Sequence, residues 1–549
     1  MIADIKITEK SFGPKLLMSG VSFGVDAGEK IGIIGRNGVG KSTLFGILNG
    51  SDKDYTGEII FKRGTVAVAT SQEHHDIGDI TVLQYVLAGL PEYKNLSHII
   101  ETYPETMGDN MKLINEYSDA LSRFTDKGFY QIEEQIEREL DNFQLPAVAH
   151  RTFASLSGGQ KRLVEVVKVM HSDADIALID EPTNHMDYVA KAQFIEWMKE
   201  SREAMLVITH DRDVLEQVDR IVELKDGSSV SYKGNYDAYL KQNAVSTGTQ
   251  MNDFELTEKR IANLKVKVLD YQRLKEKSRN PATIQKFKRL EMTSRQELAR
   301  LQEVEKPTFW IDKNSVENLN YKVAAQYDKF KAKNIRMNLK DDESRSKHVL
   351  ISARDLSLGY DKPLFKDINI DLREGESMEI RGRNGAGKTT LIKAILGHVK
   401  SSNVVSSIKT FNGEIKLDQH IRIGVYEQEV SPTYFDLNLE TAVEKMYLDK
   451  KLPISTTKVR SILSDFLFND NDLKIPVSVL SGGQKARFQI ISMLANDPQL
   501  LILDEPTNHL DLPSIEELET ELKKYSGAVV YVSHDGYFCD AMGGQILKI

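Results

Sequence analysis

Short apolar runs recur along the chain, each ending where a small or charged residue takes over. Ile31-Gly-Ile-Ile34, Ile176-Ala-Leu-Ile179, Leu206-Val-Ile208, Met378-Glu-Ile380, Leu500-Leu-Ile-Leu503 and Val529-Val-Tyr-Val532 are of this kind. Such runs predict strands buried on both faces, as in a parallel sheet covered by helices. The opening stretch, Met1-Ile-Ala-Asp-Ile-Lys6, alternates instead and predicts a strand with one wet face. From Thr81 to Leu145 the apolar spacing is helical. Farther on, Ile261, Leu264, Val268 and Tyr271 form a seam at intervals of three and four. Ser278-Arg279-Asn280-Pro281 interrupts it, because proline disfavours a helical residue before it. The seam resumes through Phe287, Leu290, Ser294, Leu298 and Leu301, up to Lys306-Pro307. This predicts a helical hairpin whose arms, about 25 residues each, reach on the order of 40 Å. No window of about 18 apolar residues occurs, so a bilayer span is not expected.

The pattern is duplicated. Ser157 to Ser481, Glu181 to Glu505 and His210 to His534 are each separated by 324 residues. A fixed offset across three motifs marks a repeated domain. The expected organisation is one α/β domain over residues 1–240, a linker over 241–347 and a second α/β domain over 348–549. From Gln72 to Ser157 is 85 residues, whereas Gln428 to Ser481 is 53, so the first copy carries extra chain. That insertion is placed within residues 81–145, as a docking arm or as a longer helical subdomain.

The motifs carry phosphate chemistry. Gly35-Arg-Asn37-Gly38-Val-Gly40-Lys41-Ser42-Thr43 and Gly382-Arg-Asn384-Gly385-Ala-Gly387-Lys388-Thr389-Thr390 each follow a strand-like run. Between a strand and a helix, such a loop turns backbone N–H groups toward phosphate oxygens at the helix's positive end. Lys41 and Lys388 then reach the β- and γ-phosphates, and the hydroxyls of Ser42 and Thr389 ligand Mg²⁺. Asp180-Glu181 and Asp504-Glu505 end buried runs; each aspartate can hold Mg²⁺ through water, and each glutamate can orient and deprotonate an attacking water. Gln72 and Gln428 are candidate contacts to Mg²⁺ or to that water, and His210 and His534 to the γ-phosphate. Two matched sets imply a machine that closes around two ATP molecules.

Composition refines the picture. The single cysteine, Cys539, excludes an internal disulfide and fits a reducing, cytoplasmic setting. The net charge of −9 argues against a uniformly basic coat, yet Lys241 to Lys347 holds 24 Lys+Arg against 15 Asp+Glu. Arg273, Lys275, Lys277, Arg279, Lys286, Lys288 and Arg289 cluster at the expected hairpin tip, residues 273–289. That composition fits a contact with nucleic-acid phosphates, or a solvated charged spacer.

With Leu156-Ser157-Gly158-Gly159-Gln160, Leu480-Ser481-Gly482-Gly483-Gln484 and Glu-Pro-Thr-Asn-His from Glu181 and Glu505, the chain resembles the ATP-binding-cassette proteins. More narrowly it resembles the ABC-F class of twin-cassette translation factors without membrane segments. The resemblance implies cassettes facing head to tail. Ser481, Gly483 and Gln484 would close on the ATP held by Lys41, and Ser157, Gly159 and Gln160 on that held by Lys388. Phe12 and Tyr360 would stack on adenine, core packing being the other reading of these aromatics. The class further implies binding at the ribosomal exit site, with the hairpin directed at the P-site tRNA, ribosomal RNA and the peptidyl-transferase centre, and a monomer off the ribosome. Asp511-Leu-Pro-Ser-Ile-Glu-Glu-Leu-Glu519 looks like members that protect ribosomes from antibiotics, so that role is placed ahead of a housekeeping factor. Asp535-Gly536 stands where the class has Asp-Arg, whereas Asp211-Arg212 keeps the pair. A transporter energy module and a DNA-structure-binding ATPase are the alternatives; a cationic tip argues against the first, and the second usually places far longer coiled coils or metal sites inside a cassette.

Overall fold

The computed structural model describes the chain except residues 14, 72–77, 185, 303–332, 338–347, 399–407, 419–420 and 428–429, and the side chain of Lys15. Two compact units result: Met1–Tyr236 with Ile335–Ile549, and Asp237–Asn334.

The apolar runs are the inner strands of two sheets. In the first half the order is Ser228–Lys233, Arg220–Lys225, Lys30–Gly35, Ala204–Ile208, Ile176–Asp180, Ala67–Ala69, parallel except for the first pair. In the second half Ile423–Tyr426, Leu500–Asp504, Ala528–Val532, Ser377–Arg381 and Gln545–Lys548 pair in that order, all parallel. Both faces are covered because successive side chains point to opposite sides. Ile176 and Leu178 join the core beneath Ala3, Ile5 and Ile7, whereas Ala177 and Ile179 join the helical core on the other face. Leu500 and Ile502 divide from Leu501 and Leu503 in the same way. Each fully buried side chain of this kind contributes roughly 1.5–3 kcal/mol of transfer free energy.

An antiparallel layer closes each sheet. Ala3–Phe12 pairs with Lys15–Met18, Val21–Val25 and Thr56–Phe61, and Val349–Gly359 pairs with Pro363–Arg373 and Lys409–Leu417. The alternation read at the start of the chain is visible here: Ala3, Ile5 and Ile7 are buried, and Lys6 is exposed.

The helical parts differ between halves. The second has Leu439–Asp449 and Thr456–Asp465, while the first has Val82–Ala88, Tyr93–Thr106, Met111–Asp126 and Ile132–Asn142. Tyr93–Thr106 packs along Met111–Asp126, and edge-on contacts of Tyr93, Phe124, Phe129 and Tyr130 pin the pair at one end. Ile335 and Met337 are buried in the helical core of the second half, where Arg336 N donates to Asp465 O at 2.9 Å.

The remaining unit is built on a long helix, Tyr236–Lys277, and a second, Pro281–Gln302. The break falls at Ser278–Asn280, where Asn280 Oδ1 accepts from Ala282 N and Pro281 opens the new helix. Leu264 and Val268 are buried, and Tyr271 stacks on Phe287 with ring centroids 6.3 Å apart. Leu290 departs from the seam and is exposed, because the buried place falls one residue on, at Glu291, which pairs with Lys275 at 2.7 Å and Arg295 at 3.0 Å. Lys306-Pro307 lies outside the described residues. Among the described residues no helix is long and apolar enough to cross a membrane.

Candidate functional site

The two glycine loops end at the helices Lys41–Leu48 and Lys388–Gly397. Their N-caps, Gly40 and Gly387, have φ of 108° and 106° and no capping side chain, leaving the first-turn amides open to a ligand. A Cβ on Gly40 would meet Leu17 and Met18 at 3.0 Å, so both the conformation and the packing demand glycine there. Lys41 Nζ lies 2.6 Å from Gly35 O and 3.1 Å from His210 Nε2, and Lys388 Nζ 2.8 Å from Gly382 O. Burial holds both lysines below their ordinary pKa, with Glu181 and Glu505 opposing the shift. Gly38 and Gly385 take positive φ, 80° and 83°; Thr43 is half-buried and Thr390 buried.

At the end of each central strand a hydroxyl meets an aspartate. Thr389 Oγ1 donates to Asp504 Oδ2 at 3.1 Å, and Ser42 hydrogen-bonds Asp180. The next residue has a left-handed backbone in both halves, φ 47° at Glu181 and 53° at Glu505. A non-glycine residue held there costs on the order of 1–3 kcal/mol, and such strain gathers at functional sites. The fold enforces it: Glu181 N donates to Ile208 O at 2.8 Å and Glu505 N to Val532 O at 2.9 Å. Burial raises both carboxyls, Glu505 to about 7, and for Glu181 the neighbouring Asp180 adds to the rise. His210 Nε2 lies 3.7 Å from Glu181 and His534 Nε2 3.3 Å from Glu505. Burial and the nearby lysines lower both histidines, His534 to about 4, so these contacts join neutral imidazoles to carboxyls. Among the described residues, Glu505 Oε1 makes no well-aligned hydrogen bond beyond its contact with His534, and His210 Nδ1 is buried without a partner.

Each loop also faces the opposite half. Asn37 N donates to Asp511 Oδ2 at 3.2 Å and its Nδ2 to His509 O at 2.9 Å. Asn384 N donates to Asp187 Oδ2 at 3.0 Å. Gly483 is buried against Asn37, whereas Gly159 is half-buried. Ser157 and Ser481 cap the helices Gly158–Met170 and Gly482–Leu494 in capping boxes with Gln160 and Gln484. Phe12 and Tyr360 are exposed, 57% and 42%, which removes the core-packing reading. Gln72 and Gln428 lie outside the described residues. Sequence reasoning missed Asp187, His509 and Asp511 as partners of the loops, although an acid six residues past the glutamate in both copies was a readable signal.

Two phosphate-type loops, each faced by residues of the opposite half, define a twin-cassette ATPase architecture. A family model described as "ABC transporter" matches residues 18–184 and again 365–508, together more than half of the chain. An Arabidopsis thaliana relative, "ABC transporter F family member 5", is 28% identical over 98% of this chain and 74% of its own length. The "Energy-dependent translational throttle protein EttA" of Mycobacterium tuberculosis is 27% identical over 100% of this chain and 91% of its own. A chain in the crystal structure of archaeal ribosomal stalk protein aP1 with archaeal ribosome recycling factor aABCE1 matches in fold. Its TM-score is 0.55 at 17% identity, over 96% of this chain and 85% of that one. The chain belongs to the ATP-binding-cassette family and, within it, to the ABC-F class, and it is an ATP-hydrolysing enzyme.

Proposed function

We propose that this chain is a cytoplasmic, ribosome-binding ATPase that closes on two Mg²⁺-ATP and lets go of the ribosome on hydrolysis. The reciprocal facing of the loops, Asn37 onto Asp511 and Asn384 onto Asp187, carries the reading, since either half alone leaves a site incomplete. Lys41 and Lys388 serve the β- and γ-phosphates, with the amides of Gly35 to Thr43 and Gly382 to Thr390 around them. Ser157, Gly159 and Gln160 complete the second site, and Ser481, Gly483 and Gln484 the first. The exposure of Phe12 and Tyr360 supports stacking on adenine. The hydroxyls of Ser42 and Thr389, beside Asp180 and Asp504, fit a hard cation that takes oxygen ligands and keeps some of its waters. Gln72 and Gln428, which lie outside the described residues, are assigned to the same set from the sequence. Mg²⁺ would neutralise charge on the phosphates.

Glu181 and Glu505 act as the bases. A carboxyl raised by burial is better matched to taking a proton near neutrality than an ordinary glutamate, and Glu505 Oε1, 3.3 Å from His534 Nε2, keeps a lone pair for a water. Neutral His210 and His534 can donate to a γ-phosphate oxygen.

The ribosome enters through the hairpin. Arg273, Lys277, Arg279, Lys286, Lys288 and Arg289 are exposed and leave their charge for phosphates of P-site tRNA and ribosomal RNA, while Lys275 is half spent on Glu291. The relative named as a translational throttle supports this partner over a membrane subunit or a DNA structure. Protection from antibiotics is the narrower form of the proposal. The stretch that suggested it, Asp511 to Glu519, also meets the opposite cassette through Asp511 and Glu519, so it reports on closure as well as on role. Raised drug tolerance in cells expressing the chain would favour protection, and unchanged tolerance the housekeeping role.

The test is the triple variant Lys286→Ala, Lys288→Ala, Arg289→Ala. ATPase activity off the ribosome should stay within about twofold. Association with ribosomes should weaken by about tenfold or more and lose part of its salt dependence, as removal of phosphate contacts requires. Undiminished ribosome association would refute the role of the tip, and selective binding to membranes would return the transporter alternative.

A further inference from the structure

Two buried cations of the first cassette, Lys191 and Arg212, cross the interface, and the matching places in the second hold no cation. Lys191, on the helix Tyr188–Glu200, is 7% exposed. Its ammonium lies 3.0 Å from Asp211 Oδ2, 2.6 Å from Asp213 Oδ2 and 2.7 Å from the backbone oxygen of His534 in the other cassette. An ammonium has three donors, so its capacity is used in full, and the third bond spans the interface. Arg212 crosses beside it, Nη2 donating to Glu519 Oε1 at 2.5 Å with Asp535 Oδ2 4.0 Å away.

The same offset that superposes the motifs places Ile515 opposite Lys191, Gly536 opposite Arg212 and Tyr537 opposite Asp213. Ile515 is buried and has no donor to offer the segment carrying His210. The two catalytic regions are nonetheless contiguous, since one small cavity is lined by Glu181, His210, Glu505, His534 and Ile515 together. Asp211 directly follows His210, so a single ammonium ties the histidine loop of the first site to that of the second.

We propose that Lys191 is a positioning residue for the second ATP site: it holds the backbone of His534 across the closed interface, and among the described residues no ammonium holds the His210 backbone in the same way, Ile515 standing in the matching place. The inference rests on the role given above to His534. Both sites need the opposite cassette to close, but the backbone of His534 is held across the interface by a buried ammonium, whereas the place matching Lys191 offers the His210 segment only the apolar Ile515. The two sites turn over unequally for a physical reason carried by one residue.

Site-resolved ATPase assays on the full chain test this. Glu181→Gln leaves the second site to report, and Glu505→Gln the first. In the Glu181→Gln background, Lys191→Met should lower kcat at least about tenfold with KM for ATP within about twofold, the signature of lost positioning rather than lost binding. In the Glu505→Gln background kcat should stay within about twofold. Lys191→Arg should recover a substantial part of the second-site rate, which a purely structural role would not require. Removing a cation from beside buried carboxylates can unfold a protein. If Lys191→Met does not fold, Asp213→Asn on the half-exposed anchor should lower the second-site kcat about threefold and spare the first. Equal losses in both backgrounds, or no loss in either, would overturn the proposal. A Glu181→Gln chain with no turnover would count against it as well, since the second site would have no rate of its own to position. Failure of the underlying reading would look different: His534→Ala in the Glu181→Gln background would then leave the second-site rate unchanged.

Discussion

Gly483 shows how tightly single residues set the first site. A Cβ there would lie 2.3 Å from Asn37 Nδ2 and 3.1 Å from His509 O, and the Asn37 amide is itself held by His509 O at 2.9 Å. Gly483→Ala should therefore hinder closure over Lys41 and lower ATPase by about tenfold, roughly 1.4 kcal/mol in the barrier, with little effect on folding. Steady-state kinetics beside thermal unfolding would check it. His171 offers a separate test of the buried electrostatics. Among the described residues its Nε2 has no partner, and burial pushes its pKa down to about 4. The unfolded chain takes up that proton near its ordinary value of about 6.5 and the folded chain does not. The contribution is thus complete above the unfolded pKa and is lost as pH falls toward about 4. His171→Gln should flatten the fall in Tm over that window, as read from unfolding scans at stepped pH. The paired acids and the histidines stood out as candidates because they recur at one offset, and the loop lysines because the glycine pattern around them is repeated. Lys191 did not, because its partner in the other cassette is 343 residues away in sequence. A contact of that kind depends on which faces meet.

At the scale of elements, periodicity carried most of the information. Runs such as Leu500–Leu503 read as two-faced strands, and their side chains indeed divide between two cores. Between its glycine loop and its signature segment the first half carries the helical pair Tyr93–Thr106 and Met111–Asp126. The hairpin seam was readable except at Leu290, where an ion-paired glutamate holds the inward place and hydrophobicity gave the wrong register. The signature segments were read only as ligand contacts, yet Ser157 and Ser481 also cap their helices. Ser157→Ala should then cost about 1 kcal/mol of stability besides any loss of ATPase, seen as a lower urea midpoint at unchanged slope.

For the whole molecule, the proposed switch for ribosome binding is the joining of the two cassettes around ATP. The contacts across the interface are polar and partly charged, Asn37 to Asp511, Asn384 to Asp187 and Arg212 to Glu519, and such contacts can be made and broken more readily than an apolar core. Nucleotide can move that equilibrium only by binding the closed state better than the open one, which composite sites provide. The direct measurement is co-sedimentation of the Glu181→Gln, Glu505→Gln double variant with ribosomes, with and without ATP, in moderate salt. With both bases removed, ATP should hold the cassettes together and the chain should pellet with ribosomes only when ATP is present. Equal recovery in the ribosomal pellet with and without ATP, or none in either, would contradict the account.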